Sequence, residues 1–193
     1  MNNICVFCGS NVGNDIAYEK GAKSLGFELS QKNIHLVYGG GRVGLMGIIA
    51  DEVLSQKGQV IGVIPKFLIQ KEVDHKNLTE LHVVQSMHER KQMMASLSDA
   101  FIAMPGGLGT LEELAEMLTW VQLEIIKKPI GLFNINGFFD SLILQLNHMT
   151  KEGFLNIETR KNLVVSDNPK SLVDMISNFQ FSSHSIWDDL NKT

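Results

Sequence analysis

Short apolar runs rich in β-branched residues alternate along this chain with longer stretches whose apolar positions recur every three or four residues. The first kind, at 4–8, 35–38, 60–64, 81–84, 100–104, 130–133 and 163–165, has the length of buried strands. The second, at 15–32, 45–56, 87–98, 110–126, 138–151 and 169–179, has the period of amphipathic helices. Such alternation predicts an α/β fold: a mostly parallel, doubly wound sheet of six to seven strands, with helices on both faces and right-handed crossovers. The one long irregular stretch, 65–80, is of the kind that carries function in a compact α/β domain. No repeat or composition shift divides the chain, so 1–180 reads as one domain and 181–193 as a C-terminal tail. The tail is polar apart from Phe181, Ile186, Trp187 and Leu190; it either stays mobile or docks Trp187 onto a partner subunit.

Composition narrows the function classes. A chain of 193 residues can bury roughly 70% of its unfolded surface, enough for a full core without staples. The 17 Lys+Arg and 21 Asp+Glu give a net charge of −4, and no basic run exceeds a pair such as Lys127-Lys128, so there is no footprint for nucleic acid. No targeting segment and no apolar run of ~20 residues is visible, which excludes a membrane span and makes the cytoplasm the expected compartment. The Cys5-x-x-Cys8 pair invites a redox reading. Residues three apart in a strand face opposite sides of the sheet, however, so buried, reduced thiols are expected, and nothing nearby completes a zinc site.

Three turns that follow predicted strands are rich in glycine: Gly9-Ser10-Asn11-Val12-Gly13, Gly39-Gly40-Gly41 through Gly47, and Pro105-Gly106-Gly107-Leu108-Gly109-Thr110. In a doubly wound sheet these are the ligand-binding ends of the strands, and glycine lets backbone N–H groups approach an anion at a helix start. Gly39, Gly41 and Gly44 satisfy the dinucleotide fingerprint, but Pro65-Lys66 stands where its ribose-binding carboxylate belongs, and no turn ends in the Gly-Lys-Ser/Thr of a phosphate-binding NTPase loop. Thr110-x-x-Glu113 also has the spacing of a capping box. Met87-His88-Glu89-Arg90-Lys91 opens another helix and puts Arg90 and Lys91 in its first turn or so, where cations oppose the macrodipole; beside anion-cradling turns they point to a bound phosphate.

The signatures Pro105-Gly106-Gly107-Leu108-Gly109-Thr110-Leu111-Glu112-Glu113 and Met87-His88-Glu89-Arg90-Lys91 together resemble those of the LONELY GUY family, cytokinin riboside 5′-monophosphate phosphoribohydrolases often mislabelled lysine decarboxylases. The resemblance extends over Cys8-Gly9-Ser10, Tyr38 to Gly47, Ile64-Pro65-Lys66 and Thr119-Trp120, roughly residues 4 to 150, with Asn11 standing where many relatives have a second Ser. It implies a Rossmann-like fold, a homodimer or higher homo-oligomer, and release of base plus ribose 5-phosphate from AMP or an N6-substituted AMP. It gives Arg90 and Glu113 the catalytic positions. The substrate contacts it implies are Glu72, Lys91, Gly107, Leu108, Gly109, Thr110, Leu111, Glu112 and Thr119, to which the signatures and glycine turns add Met87, Gly106, Gly9, Ser10, Gly40 and Gly41.

Those residue types suit the chemistry. Cleaving an N-glycosidic bond builds positive charge on the ribose, which a carboxylate such as Glu113 stabilises while it deprotonates water. Gly107, Gly109 and Thr110 would fix the phosphate and Arg90 would hold the ribose hydroxyls or phosphate; no metal or cofactor is required. Each also has a plainer reading: Glu72 as a solvated loop charge, Thr119 as a back-bonded helix threonine, and Met46, Met93, Met94, Met104 and Met117 as core filler. The apolar helix 111–126, with Trp120, is a candidate dimer seam. Two other functions remain in view, a non-catalytic carrier of a nucleotide-like ligand, molybdenum cofactor included, and a pyridoxal-dependent decarboxylase, for which the chain lacks both size and a lysine-bearing cofactor site.

Overall fold

The computed structural model describes residues 1–69, 75 and 77–181. Seven strands form one sheet in the order β4-β3-β2-β1-β5-β6-β7, every neighbouring pair parallel. They are β1 (Asn3–Phe7), β2 (His35–Tyr38), β3 (Val60–Pro65), β4 (Glu80–Val84), β5 (Ala100–Ala103), β6 (Ile130–Phe133) and β7 (Leu163–Ser166). The helices are α1 (Ile16–Gln31), α2 (Gly44–Ser55), α3 (Met87–Leu97), α4 (Leu108–Gln122), α5 (Asp140–Lys151), α6 (Ile157–Lys161) and α7 (Pro169–Ser177).

Side-chain alternation along the strands builds two cores. Ile4, Val6 and Cys8 join Leu25 and Leu29 of α1, Ile49 and Val53 of α2, and Leu172 and Ile176 of α7 on one face. Cys5 and Phe7 join Met94 of α3, Leu114, Met117 and Val121 of α4, and Phe139 on the other. A parallel sheet covered on both sides needs strands that are apolar throughout, and β1, β2, β5 and β6 are buried over nearly their whole length. The two cysteines are free, buried, and on opposite faces, as strand geometry requires.

The differences from the sequence reading are local. β1 ends at Phe7, so Cys8 belongs to the turn. Helix α4 starts at Leu108 rather than 110 and ends at Gln122 rather than 126, where Glu124 adopts φ +56°. The N-cap of α4 is Gly107, which has no side chain to cap with, so the capping-box reading of Thr110 and Glu113 does not hold. Helix α6 has only five residues, too few to show a period. Among the described residues of the irregular stretch, Lys66–Leu68 forms a 3-10 turn.

The chain runs outward from β1 to β4 in one direction and from β5 to β7 in the other, so the turns after β1 and β5 diverge and leave a crevice between them. Under that crevice the Gly9 N–H donates to the Pro105 carbonyl at 3.0 Å, and the Leu45 N–H donates to the Gly9 carbonyl at 3.0 Å. The second contact forces Gly44 into φ +59°, with its Cα so close to the Ser10-Asn11 peptide that a Cβ would lie 2.2 Å from the Ser10 carbonyl carbon. Gly44→Ala is therefore expected to lose on the order of 2–3 kcal/mol of unfolding free energy, read by denaturant titration; an unchanged midpoint would contradict this packing of the two turns.

Candidate active site

The crevice opens into a cavity of about 320 Å³ lined by Cys8, Gly9, Ser10, Met46, Leu68, Met87, Arg90, Gly107, Leu108, Gly109, Thr110, Glu112 and Glu113. One wall is the start of α4. The first amides of a helix have no intrahelical partner and carry the positive end of its dipole. Here they belong to a segment in which a Cβ added at Gly107 or Gly109 would meet nothing within 4 Å. Protein packing does not demand glycine at either position; the space above them is open for a ligand. Gly106 differs, since a Cβ there would lie 2.2 Å from Thr110 Oγ1 and 2.8 Å from the Gly9 amide nitrogen. Gly9 and Gly106 are thus small so that the β1 and β5 turns can touch, and Thr110 folds back over Gly106.

The facing wall is built on α3. Ser86 caps it, accepting the Glu89 N–H at 3.1 Å, while Glu89 Oε2 accepts the Gln85 N–H at 2.6 Å. This is a variant of the capping box that overlaps the start of the Met87–Lys91 signature, with Glu89 reaching past the N-cap to the preceding Gln85 N–H; its Ser-x-x-Glu spacing is legible in the sequence. One turn later Arg90 is 5% exposed. Its Nε donates to the Val63 carbonyl at 3.1 Å and its Nη2 to the Gly39 carbonyl at 2.8 Å, at the carboxyl ends of β3 and β2. Nη1 lies 3.8 Å from Met87 Sδ. A buried guanidinium held on two main-chain carbonyls keeps a fixed orientation. Gly39 is glycine for that reason, since its Cβ would overlap Arg90 Nη2.

Lys91, 7% exposed, points elsewhere. Its ammonium is ion-paired with Glu112 and lies 3.1 Å from Glu116 Oε2, both on α4. Burial works against that charge, and the hydrogen bonds Lys91 donates to Glu112 and Glu116 more than offset it, holding the pKa above the usual lysine value. Lys91 therefore bridges the helices that carry Arg90 and Glu113 and does not line the cavity. Cys8, in the cavity wall, has its thiol pushed well up, first by burial and then by the Glu113 carboxylate, so it stays protonated and poorly nucleophilic.

Of the residues singled out in the sequence, Gly9, Ser10, Met87, Arg90, Gly107, Leu108, Gly109, Thr110, Glu112 and Glu113 come together at this cavity. Gly40 and Gly41 lie in the turn after β2 and Leu111 is exposed on α4, none of them lining it. Thr119 sits on α4 in a separate apolar groove with Leu118, Leu146 and Met149, and its Oγ1 donates to the Ala115 carbonyl at 2.8 Å. Glu72 and Trp187 lie outside the described residues. Met46, one of the methionines that the sequence offered as pocket lining or core filler, is an apolar wall of the cavity, as is Leu68, which carried no motif in the sequence. Among the described residues, no group of three or more His, Cys, Asp or Glu gathers as a metal site, and no helix is long and apolar enough to cross a membrane.

A crevice at the switch point of a parallel sheet, floored by glycine turns and walled by a helix start, an arginine and a carboxylate, defines a Rossmann-like protein whose crevice has the features that suit a small anionic ligand. Residues 46–176 match the family described as "Possible lysine decarboxylase". The cytokinin riboside 5′-monophosphate phosphoribohydrolase LOG1 of Arabidopsis thaliana is 47% identical over 176 residues, covering 91% of this chain and 83% of that protein. The enzyme LOG of Oryza sativa subsp. japonica is 44% identical over 188 residues, covering 96% of this chain and 78% of the relative. Among solved structures, a molybdenum cofactor binding protein from Rippkaea orientalis superposes with a TM-score of 0.70 at 21% identity, over 91% of this chain and 95% of that one. The Moco carrier protein of Chlamydomonas reinhardtii does so at 0.68 and 18%, over 91% and 95%. These structures share the fold. The chain belongs to the LOG family.

Because the space above Gly107 is open, Gly107→Ala is expected to leave the unfolding free energy within about 0.5 kcal/mol while weakening AMP binding by at least about tenfold, read by calorimetry. Equal AMP affinity in wild type and variant would remove this helix start from the ligand site.

Proposed function

We propose that this protein hydrolyses the N-glycosidic bond of adenine nucleoside 5′-monophosphates, N6-modified ones included, giving the free base and ribose 5-phosphate. The observation that carries the reading is the convergence of three groups on one cavity: the open helix start at Gly107–Thr110, the main-chain-anchored Arg90, and Glu113. The phosphoribohydrolase activity of the relatives that are 47% and 44% identical supports it.

In this reading the phosphate takes the free amides of α4 and Arg90 sets the nucleotide against Glu113. As the bond from C1′ to the base breaks, its electron pair leaves with the base and positive charge grows on the ribose. The Glu113 carboxylate stabilises that charge and takes a proton from the attacking water, whose hydroxyl forms the new bond at C1′. A proton returned to the base completes the balance. Cys8, kept neutral beside Glu113, adds no competing negative charge. Glu72 is assigned a substrate contact by the family resemblance alone. The exposed apolar side chains Leu108 and Leu111 and the partly buried Trp120 on α4 support assembly as a homodimer through this helix. The decarboxylase description fits poorly, because among the described residues no lysine lines the cavity and Lys91 is committed to two carboxylates.

The test is a panel of AMP, N6-isopentenyl-AMP, GMP, CMP and adenosine, with free base read by chromatography. Wild type is expected to release base from adenine monophosphates and not from adenosine. Glu113→Gln should lose at least about a hundredfold in kcat with binding nearly intact, and Arg90→Ala should lose in both kcat and KM. Near-normal turnover by Glu113→Gln would remove the role given to that carboxylate. Binding of AMP without release of base by wild type would assign the crevice to carriage instead.

A further inference from the structure

His75 lies outside the signatures singled out in the sequence, yet it is 3% exposed. Its Nε2 lies 2.9 Å from Asp51 Oδ1 on α2, and its Nδ1 accepts the Asn77 N–H at 3.4 Å. The carboxylate can only accept and the main-chain N–H can only donate, so the proton sits on Nε2 and the ring is fixed in one tautomer. The His75 main-chain N–H, in turn, donates to the Gly40 carbonyl at 3.3 Å. Gly40 stands at φ +78°, next to Gly39, whose own carbonyl holds Arg90 Nη2. Two consecutive glycines make a pliable turn, so the Nη2 end of the guanidinium that rests on it is better held when the turn is pinned, beside the separate hold of Val63 on Nε.

We infer that His75 is a positioning residue: clipped to Asp51, it pins the Gly39-Gly40 turn and so fixes the Arg90 guanidinium in the crevice. The clip spans three elements, from α2 through the segment before β4 to the carboxyl end of β2. Leu78 strengthens it by packing where Gly62 has no side chain, since a Cβ there would lie 2.5 Å from Leu78 Cδ1 and 2.9 Å from the Gly40 Cα. The kinetic consequence rests on the hydrolase reading; the geometric one does not.

The test uses His75→Ala, His75→Gln and Asp51→Ala in the full chain. Asp51 is 60% exposed, so its variant breaks the clip without opening the core. With AMP as substrate, His75→Ala and Asp51→Ala are expected to lower kcat/KM about tenfold. His75→Gln keeps an N–H donor in reach of Asp51 and should restore most of that loss. In an Arg90→Ala background, His75→Ala should cost nothing further, because the residue it positions is gone. Independently of any substrate, the Arg90 Nη2 protons, held on the Gly39 carbonyl, should exchange with solvent faster in His75→Ala and Asp51→Ala than in wild type, read by NMR. An unchanged exchange rate in both variants, or an equal proportional loss of kcat/KM with and without Arg90, would overturn the inference. Absence of base release by wild type would strike the hydrolase reading alone, and the exchange measurement would still decide the clip.

Discussion

The hydrogen bond from the Gly9 N–H to the Pro105 carbonyl joins the two turns that part company at the centre of the sheet. Without it the crevice would have no floor. Parallel topology sends the chain to opposite sides after β1 and β5, and that divergence opens a gap at their carboxyl ends. The gap becomes a site only because Gly9 and Gly106 let the turns meet beneath it and the approach of Gly44 to the Ser10-Asn11 peptide locks a third turn against them. These contacts leave Gly107 and Gly109, alone in their turn, with nothing above them.

The electrostatics follow from the same frame. Arg90 and Lys91 open a helix, where their charges oppose its dipole, and both are buried. Each cost is met differently. Ser86 and Glu89 cap the helix and bring a negative charge to its start. Arg90 gains two strand-end carbonyls, and Lys91 gains Glu112 and Glu116. One lysine thereby ties α3 to α4, and the neighbouring residues on those helices, Arg90 and Glu113, face a common cavity.

Much of this was legible in the sequence because it repeats a period or a spacing. The seven strands and the long helices announced themselves by apolar runs and amphipathic recurrence, and the glycine turns by composition. The boundaries of α4 were not, because its cap is a glycine whose conformation, not its side chain, starts the helix. The sequence could place Lys91 beside a glycine turn but could not say that Glu112 and Glu116 would reach it across two helices. Thr119 shows the reverse limit: a motif position that, within one chain, bonds to its own helix and faces a different groove. His75 and Leu68 were silent because long-range approach, not local pattern, brings them to the site.

The most direct test of this account is the crystal structure of Glu113→Gln with AMP bound. The account places the 5′-phosphate on the free amides at the start of α4, above Gly107 and Gly109, with the Arg90 guanidinium still on the Gly39 and Val63 carbonyls and C1′ of the ribose turned toward residue 113. A phosphate bound away from that helix start, or a ribose whose C1′ faces away from residue 113, would contradict it.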